Sequence, residues 1–201
     1  MNIAILASGN GSNFEAIVKA AKRGYIKAFI KVLITDKSNA YVRQRAKRNK
    51  IKDILIDPSK FKSRLEFDEE VIKVLEKEKI DLVVLAGFMR ILSAKFVKRF
   101  KNRILNIHPA LLPAFKGENA IRRALQHNCK VTGVTVHFVD EKVDNGPIIL
   151  QQAIEIKRGE TLERLEERIH NLEHKLYPLA VKLFTERRIK IKNRNVEIEP
   201  L

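Results

Sequence analysis

Cysteine is nearly absent from this sequence. Of 201 residues, Cys129 carries the single thiol. That excludes an intramolecular disulfide and a zinc site built from cysteines, and a reducing, cytoplasmic setting fits best. Long apolar runs are missing as well. None approaches the roughly 20 residues that a membrane-spanning helix needs, so no membrane partner is expected. Met1 to Leu6 has no basic leader before an apolar stretch, so no signal peptide is expected. Internal repeats, linker-like composition and low-complexity segments are also lacking. There is no G-x-S-x-G of a serine hydrolase. His170 and His174 are four apart, but no H-E-x-x-H surrounds them, and His137 has no metal-ligand neighbours in sequence. No metal is expected.

Positive charge is in excess. Lys and Arg number 40 against 24 Asp and Glu, a formal charge of +16. Apolar residues make up 45% and charged ones 32%, the balance of a globular soluble chain. The length suits one well-buried domain and would be cramped for two. Basic residues are spread widely, with clusters at Arg43–Lys52 and Arg187–Arg194. Neither cluster has the interleaved aromatics of a single-strand-binding platform. A lysine-rich surface of the heat-adapted kind is the first reading. Attraction of anionic small substrates and a nucleic-acid partner are the alternatives.

Strand and helix patterns alternate through the first half. Ile3–Ala7 is a short apolar run ending at Ser8-Gly9, as a buried strand feeding a glycine turn would be. A helix is predicted over Asn13–Lys22, stopped by Gly24, then a strand over Ala28–Ile34. Tyr41–Asn49 reads as a helix, Asp53–Ile56 as a strand, and Phe67–Glu78 as an amphipathic helix. Asp81–Ala86 is nearly all apolar, as a central parallel strand should be. In the second half, Arg103–Ile107 reads as a strand and Glu118–His127 as a helix. Val131–Val139 and Ile148–Ile156 read as a β-pair joined by a loop. From Thr161, a plausible cap, apolar residues fall on one helical face, and Pro178 should kink that helix. The tail from Ile189 reads as a final edge strand or as disordered.

These patterns predict an α/β fold. It is a doubly wound, Rossmann-like, mostly parallel sheet with helices on both faces, and an antiparallel β-pair in the C-terminal half. One domain is expected over residues 1–201. Residues 1–100 form a phosphate-binding half, 101–188 a catalytic half and 189–201 a tail.

Three segments could carry chemistry. Ser8-Gly9-Asn10-Gly11-Ser12-Asn13 lies where the first strand hands over to the first helix, the end at which ligands bind in such sheets. Glycines permit close approach, and a helix N-terminus suits a phosphate. Phe14 replaces the third glycine of a dinucleotide loop, and no Gly-Lys-Ser/Thr follows, so one phosphomonoester is indicated. A glycine turn capped by Ser12 or Asn13 explains the segment equally well. In Asn106-Ile107-His108-Pro109 the amide and imidazole face the same way if the strand continues. An amide donor beside an imidazole suits acyl transfer, although a capping Asn and an ordinary strand-end His explain the pair locally. Asp144, in the loop Asp140–Pro147, could tune His108 or merely start a turn. Gly87–Leu92 offers an apolar loop where a flat aromatic ligand could bury its ring, or that packs the core.

Taken in this order and spacing, these stretches resemble the folate-dependent formyltransferases. The motifs are Ser8–Asn13, Val83–Leu92, Leu105–Pro113, Val136–Val139 and Asp144–Ile148. Asn-x-His-Pro with a downstream Asp is shared by the wider superfamily. The Ser-Gly-x-Gly-Ser-Asn opening and the ending Glu173-His174-x-x-Tyr177-Pro178 narrow it to the glycinamide ribonucleotide branch.

The resemblance implies formyl transfer from 10-formyltetrahydrofolate, as co-substrate, to the amine of N1-(5-phospho-D-ribosyl)glycinamide in de novo purine biosynthesis. It implies a catalytic trio of Asn106, His108 and Asp144. Gly11, Ser12 and Asn13 would hold the substrate phosphate and Glu173 the ribose hydroxyls. Arg64, Met89, Arg90, Ile91, Leu92, Asn106, Asp140 and Asp144 would hold the folate. Either a monomer or a homodimer is compatible. Five positions depart from the family's usual residues: Asn145, where Gly is usual, Ala110, Lys116, Asn119 and Ile121. Rival readings are a tRNA formyltransferase, a formyltetrahydrofolate hydrolase or a basic nucleic-acid-binding α/β protein. The first carries a further C-terminal domain and the second an N-terminal one, whereas this chain runs from Met1 to Leu201.

Overall fold

The structure, a computed structural model, describes residues 1–200. It divides into two compact units, Met1–Leu105 and Asn106–Leu201. Strands β1 (Asn2–Leu6), β2 (Phe29–Thr35), β3 (Lys52–Leu55) and β4 (Leu82–Leu85) belong to the first. So do helices α1 (Ser12–Lys22), α2 (Val42–Asn49), α3 (Arg64–Lys77) and α4 (Ala94–Arg99). Strand β5 (Ile104–His108) runs into the second unit, which holds α5 (Ala120–Gln126), β6 (Val131–Phe138), β7 (Ile148–Glu155), α6 (Leu162–Thr185), β8 (Ile189–Lys192) and β9 (Asn195–Ile198). The strand order is β3-β2-β1-β4-β5-β6-β7, a seven-stranded sheet. β1 pairs in parallel with β2 and β4, and β2 with β3. β6 and β7 form the expected antiparallel pair. The mixed α/β, mostly parallel reading holds. Among the described residues, no helix is long and apolar enough to cross a membrane.

In the first unit, β1 and β4 read as unbroken apolar runs because both their faces are covered: Ile3 to Leu6 and Leu82 to Val84 are fully buried. Helix α3 starts at Arg64, three residues before the expected Phe67. Ser63 Oγ accepts the Glu66 N–H at 3.2 Å and so fixes the earlier start. Helix α4 was not anticipated. It has six residues, too few for a periodic signal, and is begun by Ser93, whose Oγ accepts from the Phe96 N–H at 3.3 Å.

In the second unit, β5 extends one residue past the expected end and places His108 as its last member. The alternation expected of β6 hides the fact that both faces are buried, since every residue from Thr132 to Phe138 is covered. Thr161 does cap α6, accepting the Arg164 N–H at 3.4 Å. The helix runs on through Pro178 to Thr185. The tail is neither an edge strand of the main sheet nor unstructured. β8 and β9 pair antiparallel as a separate two-stranded sheet, Ile189 opposite Ile198 and Lys192 opposite Asn195.

Gly133 shows how tightly the β6–β7 pair is set. A Cβ there would stand 2.2 Å from the Gln152 carbonyl oxygen and 2.6 Å from Leu111 Cδ2. Overpacking of this kind costs about 1–3 kcal/mol. Gly133→Ala is expected to lower the urea midpoint accordingly at unchanged m-value. An unchanged midpoint would contradict the register.

Candidate active site

The first unit presents two loops at the carboxyl ends of β1 and β4. Gly11, at φ 77°, is the residue before α1. A Cβ on it would lie 2.3 Å from Val42 Cγ2, so the loop needs glycine for both conformation and space. Gly11 holds the N-cap position of α1, with no side-chain cap hydrogen bond from it. A helix N-terminus presents donor N–H groups and partial positive charge. Arg45 stiffens the loop through the Asn10 carbonyl at 2.9 Å and its side-chain oxygen at 3.0 Å. The Ser8 hydroxyl accepts the Met89 N–H at 2.9 Å, tying this loop to the next.

The second loop, Gly87–Leu92, exposes two large apolar side chains, Met89 at 64% and Ile91 at 58%. Leu92 is buried. The Arg90 guanidinium lies over the Phe67 ring, 4.5 Å from its centroid. Arg64 is exposed at the first turn of α3. Core packing therefore explains Leu92 and leaves Met89 and Ile91 presented to solvent.

The second unit brings the expected trio together. β5 carries Asn106 and His108 on one side, with Ile107 between them on the other. Asp144 comes from the β6–β7 loop. His108 Nδ1 is 3.2 Å from Asp144 Oδ2, and both side chains are nearly buried. Asn106 Nδ2 is 3.3 Å from Asp144 Oδ1. The Gly117 N–H donates to Asp144 Oδ2 at 2.8 Å. A fourth side chain joins the cluster. His137, fully enclosed on β6, has Nδ1 2.7 Å from the Phe138 carbonyl, so Nδ1 donates. Its Nε2 is then the acceptor that faces Asn106 Nδ2 at 3.1 Å. The alternation along β6 already set Thr135 and His137 apart from Val134, Val136 and Phe138, but nothing in the sequence tied that face to Asn106. The Gly117 donor is backbone and leaves no side-chain signal.

The electrostatics of the cluster are finely opposed. Burial raises the Asp144 carboxyl, but the nearby His137 ring, the Gly117 N–H and His108 outweigh it and hold its pKa at about 2. His108 goes the other way. Burial lowers its pKa below the ordinary value, against Asp144, the Phe115 carbonyl and Glu173, which raise it. His108 Nε2 lies 2.9 Å from the Phe115 carbonyl, so both ring nitrogens face acceptors. Only the doubly protonated ring satisfies both. Burial keeps the ring neutral at rest, while its neighbours stand ready to stabilise an added proton.

Glu173 is buried on α6 and contacts His170 Nδ1 at 3.0 Å, which raises the His170 pKa. Asp140 begins the loop that carries Asp144. Burial raises its carboxyl, and bonds from the Asn145 amide, the Lys142 N–H and Arg194 more than compensate. Asn145 stands where glycine is usual. The left-handed residue is Asp144 itself, at φ 46°. Asn145 uses its side chain instead, donating to Asp140 at 2.9 Å and accepting from Lys116 at 2.8 Å. Of the other departures, Asn119 takes a left-handed backbone at φ 56° before α5 without capping it, and Ile121 is core. The carbonyl of Ala110 accepts from Thr135 Oγ1 at 2.7 Å.

An amide and a buried neutral imidazole that both contact one ionised carboxylate are the groups that acyl transfer can use to move a proton beside a developing oxyanion. Comparison with known proteins points the same way. The Formyl transferase family matches residues 1–181. Phosphoribosylglycinamide formyltransferase of Bacillus subtilis is 44% identical over 179 residues, which cover 89% of this chain and 92% of that protein. The trifunctional purine biosynthetic protein adenosine-3 of Homo sapiens is 46% identical over 181 residues, 90% of this chain but 18% of that protein's length. The crystal structure of glycinamide ribonucleotide transformylase 1 from Symbiobacterium toebii superposes with a TM-score of 0.97 at 44% identity, covering 100% of this chain and 94% of that one. The chain belongs to the formyl transferase family.

The Asp144 environment makes a stability prediction. A carboxyl depressed from 3.8 to about 2 on folding stabilises the fold above its unfolded pKa. That contribution, roughly 2 kcal/mol, is lost as pH falls from 3.8 through about 2. Asp144→Asn should show a shallower loss of urea midpoint across that window. Parallel curves for parent and variant would refute the depression.

Proposed function

We propose that this chain transfers the formyl group of 10-formyltetrahydrofolate to the amine of glycinamide ribonucleotide, giving formylglycinamide ribonucleotide and tetrahydrofolate in purine biosynthesis. The observation that carries the reading is the contact of His108 with Asp144, 3.2 Å apart and beside Asn106, in a chain matching nearly the whole length of a phosphoribosylglycinamide formyltransferase. The substrate amine attacks the formyl carbon, and a C–N bond forms as the carbonyl oxygen takes up negative charge. Asn106 Nδ2, giving up its contact with Asp144, donates to that oxygen. The proton lost by the attacking nitrogen passes to His108, Asp144 stabilises the resulting imidazolium, and the imidazolium donates to the oxygen and then delivers the proton to N10. Protonation of N10 and collapse of the intermediate break the bond to the folate and release tetrahydrofolate. His108 Nε2 exchanges the Phe115 carbonyl for the substrate during this sequence.

In the same reading, Gly11, Ser12 and Asn13 hold the phosphate at the start of α1. Glu173, a buried carboxylate, accepts the ribose hydroxyls. Met89 and Ile91 provide apolar contact for the pterin, with Arg64, Arg90, Asn106, Asp140 and Asp144 as its polar partners. Both substrates are anionic, which suits a chain of formal charge +16. No nucleic-acid partner is required, a monomer or homodimer serves equally, and the lone Cys129 accords with a cytoplasmic setting.

Tetrahydrofolate release should depend on glycinamide ribonucleotide and fall to background with water as the acceptor. His108→Ala should lower kcat by about 100- to 10,000-fold, the usual contribution of general acid–base catalysis, with an unchanged circular dichroism spectrum. Equal release with water alone, or full activity without the imidazole, would overturn the reading.

A further inference from the structure

Asp144 occupies a left-handed backbone that few non-glycine residues adopt, so its loop needs restraint from outside. Part of the restraint is local. Asn145 Nδ2 bonds Asp140 Oδ2 at 2.9 Å, and the Lys142 N–H bonds Asp140 Oδ1 at 3.0 Å. Part comes from the segment before α5, through Lys116 Nζ to Asn145 Oδ1 at 2.8 Å and the Gly117 N–H to Asp144 itself. The rest comes from the C-terminal hairpin. At its turn, the Arg194 guanidinium donates to Asp140 Oδ2 at 3.3 Å and to the backbone carbonyl of Asn145, the residue directly after Asp144. The base of the hairpin is fastened by Arg188, which donates to the Glu199 carbonyl and accepts the Glu199 N–H at its own. A cavity of about 540 Å³ is lined by residues of both segments, among them Lys116, Asp144, Asn145, Arg194 and Val196.

We propose that Arg194 is a positioning residue: the C-terminal hairpin clamps the Asp140–Asn145 loop and so sets the contact between Asp144 and His108. The guanidinium holds a carboxylate and a carbonyl at once, which a point charge cannot do as well. Its role in overall stability is small, because its side chain is 63% exposed and exposed ion pairs contribute little. The effect is therefore expected in the geometry of the buried pair and not in the melting temperature. The charged and titratable groups acting on His108 are Asp144, His137 and Glu173. Of these, Asp144 lies on the clamped loop. Loosening it removes a group that raises the His108 pKa, so that pKa should drop.

The proposal rests on the activity proposed above for its kinetic readout, and has a second readout that does not. In Arg194→Met, NMR titration of the His108 imidazole should give a lower pKa than in the parent. Under the proposed activity, kcat should fall about tenfold, within the range that small misplacements of catalytic groups produce, with KM for glycinamide ribonucleotide changed less than about twofold. Arg194→Lys should recover part of both effects, and it carries the same two readouts should the Met variant fail to fold. An unchanged titration and kcat would overturn the clamp. A lower kcat with an unchanged His108 titration would also overturn it, since the hairpin would then act on something else. Absence of formyl transfer in the parent chain would refute the proposed activity alone, because the titration reads the clamp without turnover.

Discussion

The contact between His108 and Asp144 is the constraint on which the second unit depends. Two ionisable side chains are taken out of water and set 3.2 Å apart. Burying an unpaired carboxylate would be costly, and the surroundings answer that cost with donors: the Gly117 N–H, the Asn106 amide and His108 Nδ1. The carboxylate therefore stays ionised. The histidine, with acceptors on both nitrogens, is held neutral by burial alone. The pair is asymmetric by construction, with a fixed negative charge next to a base whose proton affinity is opposed by desolvation.

The strands explain why this contact can form at all. β5 ends in Asn106-Ile107-His108, and the pleat sends the two polar side chains the same way. β6 supplies His137, locked in one tautomer by the Phe138 carbonyl, so that its Nε2 accepts from Asn106. The β6–β7 loop then returns Asp144 to the same point, at the expense of a left-handed backbone. Each of these placements is set by main-chain geometry, with the side chains conforming to it.

Much of the fold was legible because its signals are local and dense. The apolar runs of β1 and β4 and the long face of α6 announce themselves over many consecutive residues. Short elements did not. The six residues of α4 carry no repeat, and the start of α3 depends on a single capping serine at position 63. The tail alternates too weakly for sequence to separate an edge strand from a hairpin that pairs with itself. In the site, Asn106, His108 and Asp144 were identified through resemblance. His137 was overlooked because its partner lies 31 positions away on another strand. The link between Lys116 and Asn145 was hidden for a different reason. Both stood out singly as departures from the family, but that they bond each other is a tertiary fact.

The Arg194 contacts raise a question of magnitude. A solvent-exposed ion pair adds at most about 1 kcal/mol to folding, and often nothing measurable. Judged by stability, the hairpin would look dispensable. Catalytic geometry is less forgiving, because a displacement of about 1 Å can cost on the order of 100-fold in rate. The two scales separate because folding averages over many contacts, whereas the proton transfer proposed for His108 would depend on the position of one carboxylate. A residue can therefore matter little to whether this chain folds and still matter to how Asp144 is held. That separation is possible here because Asp144 sits in a loop whose backbone is unfavourable on its own and is kept in place from outside.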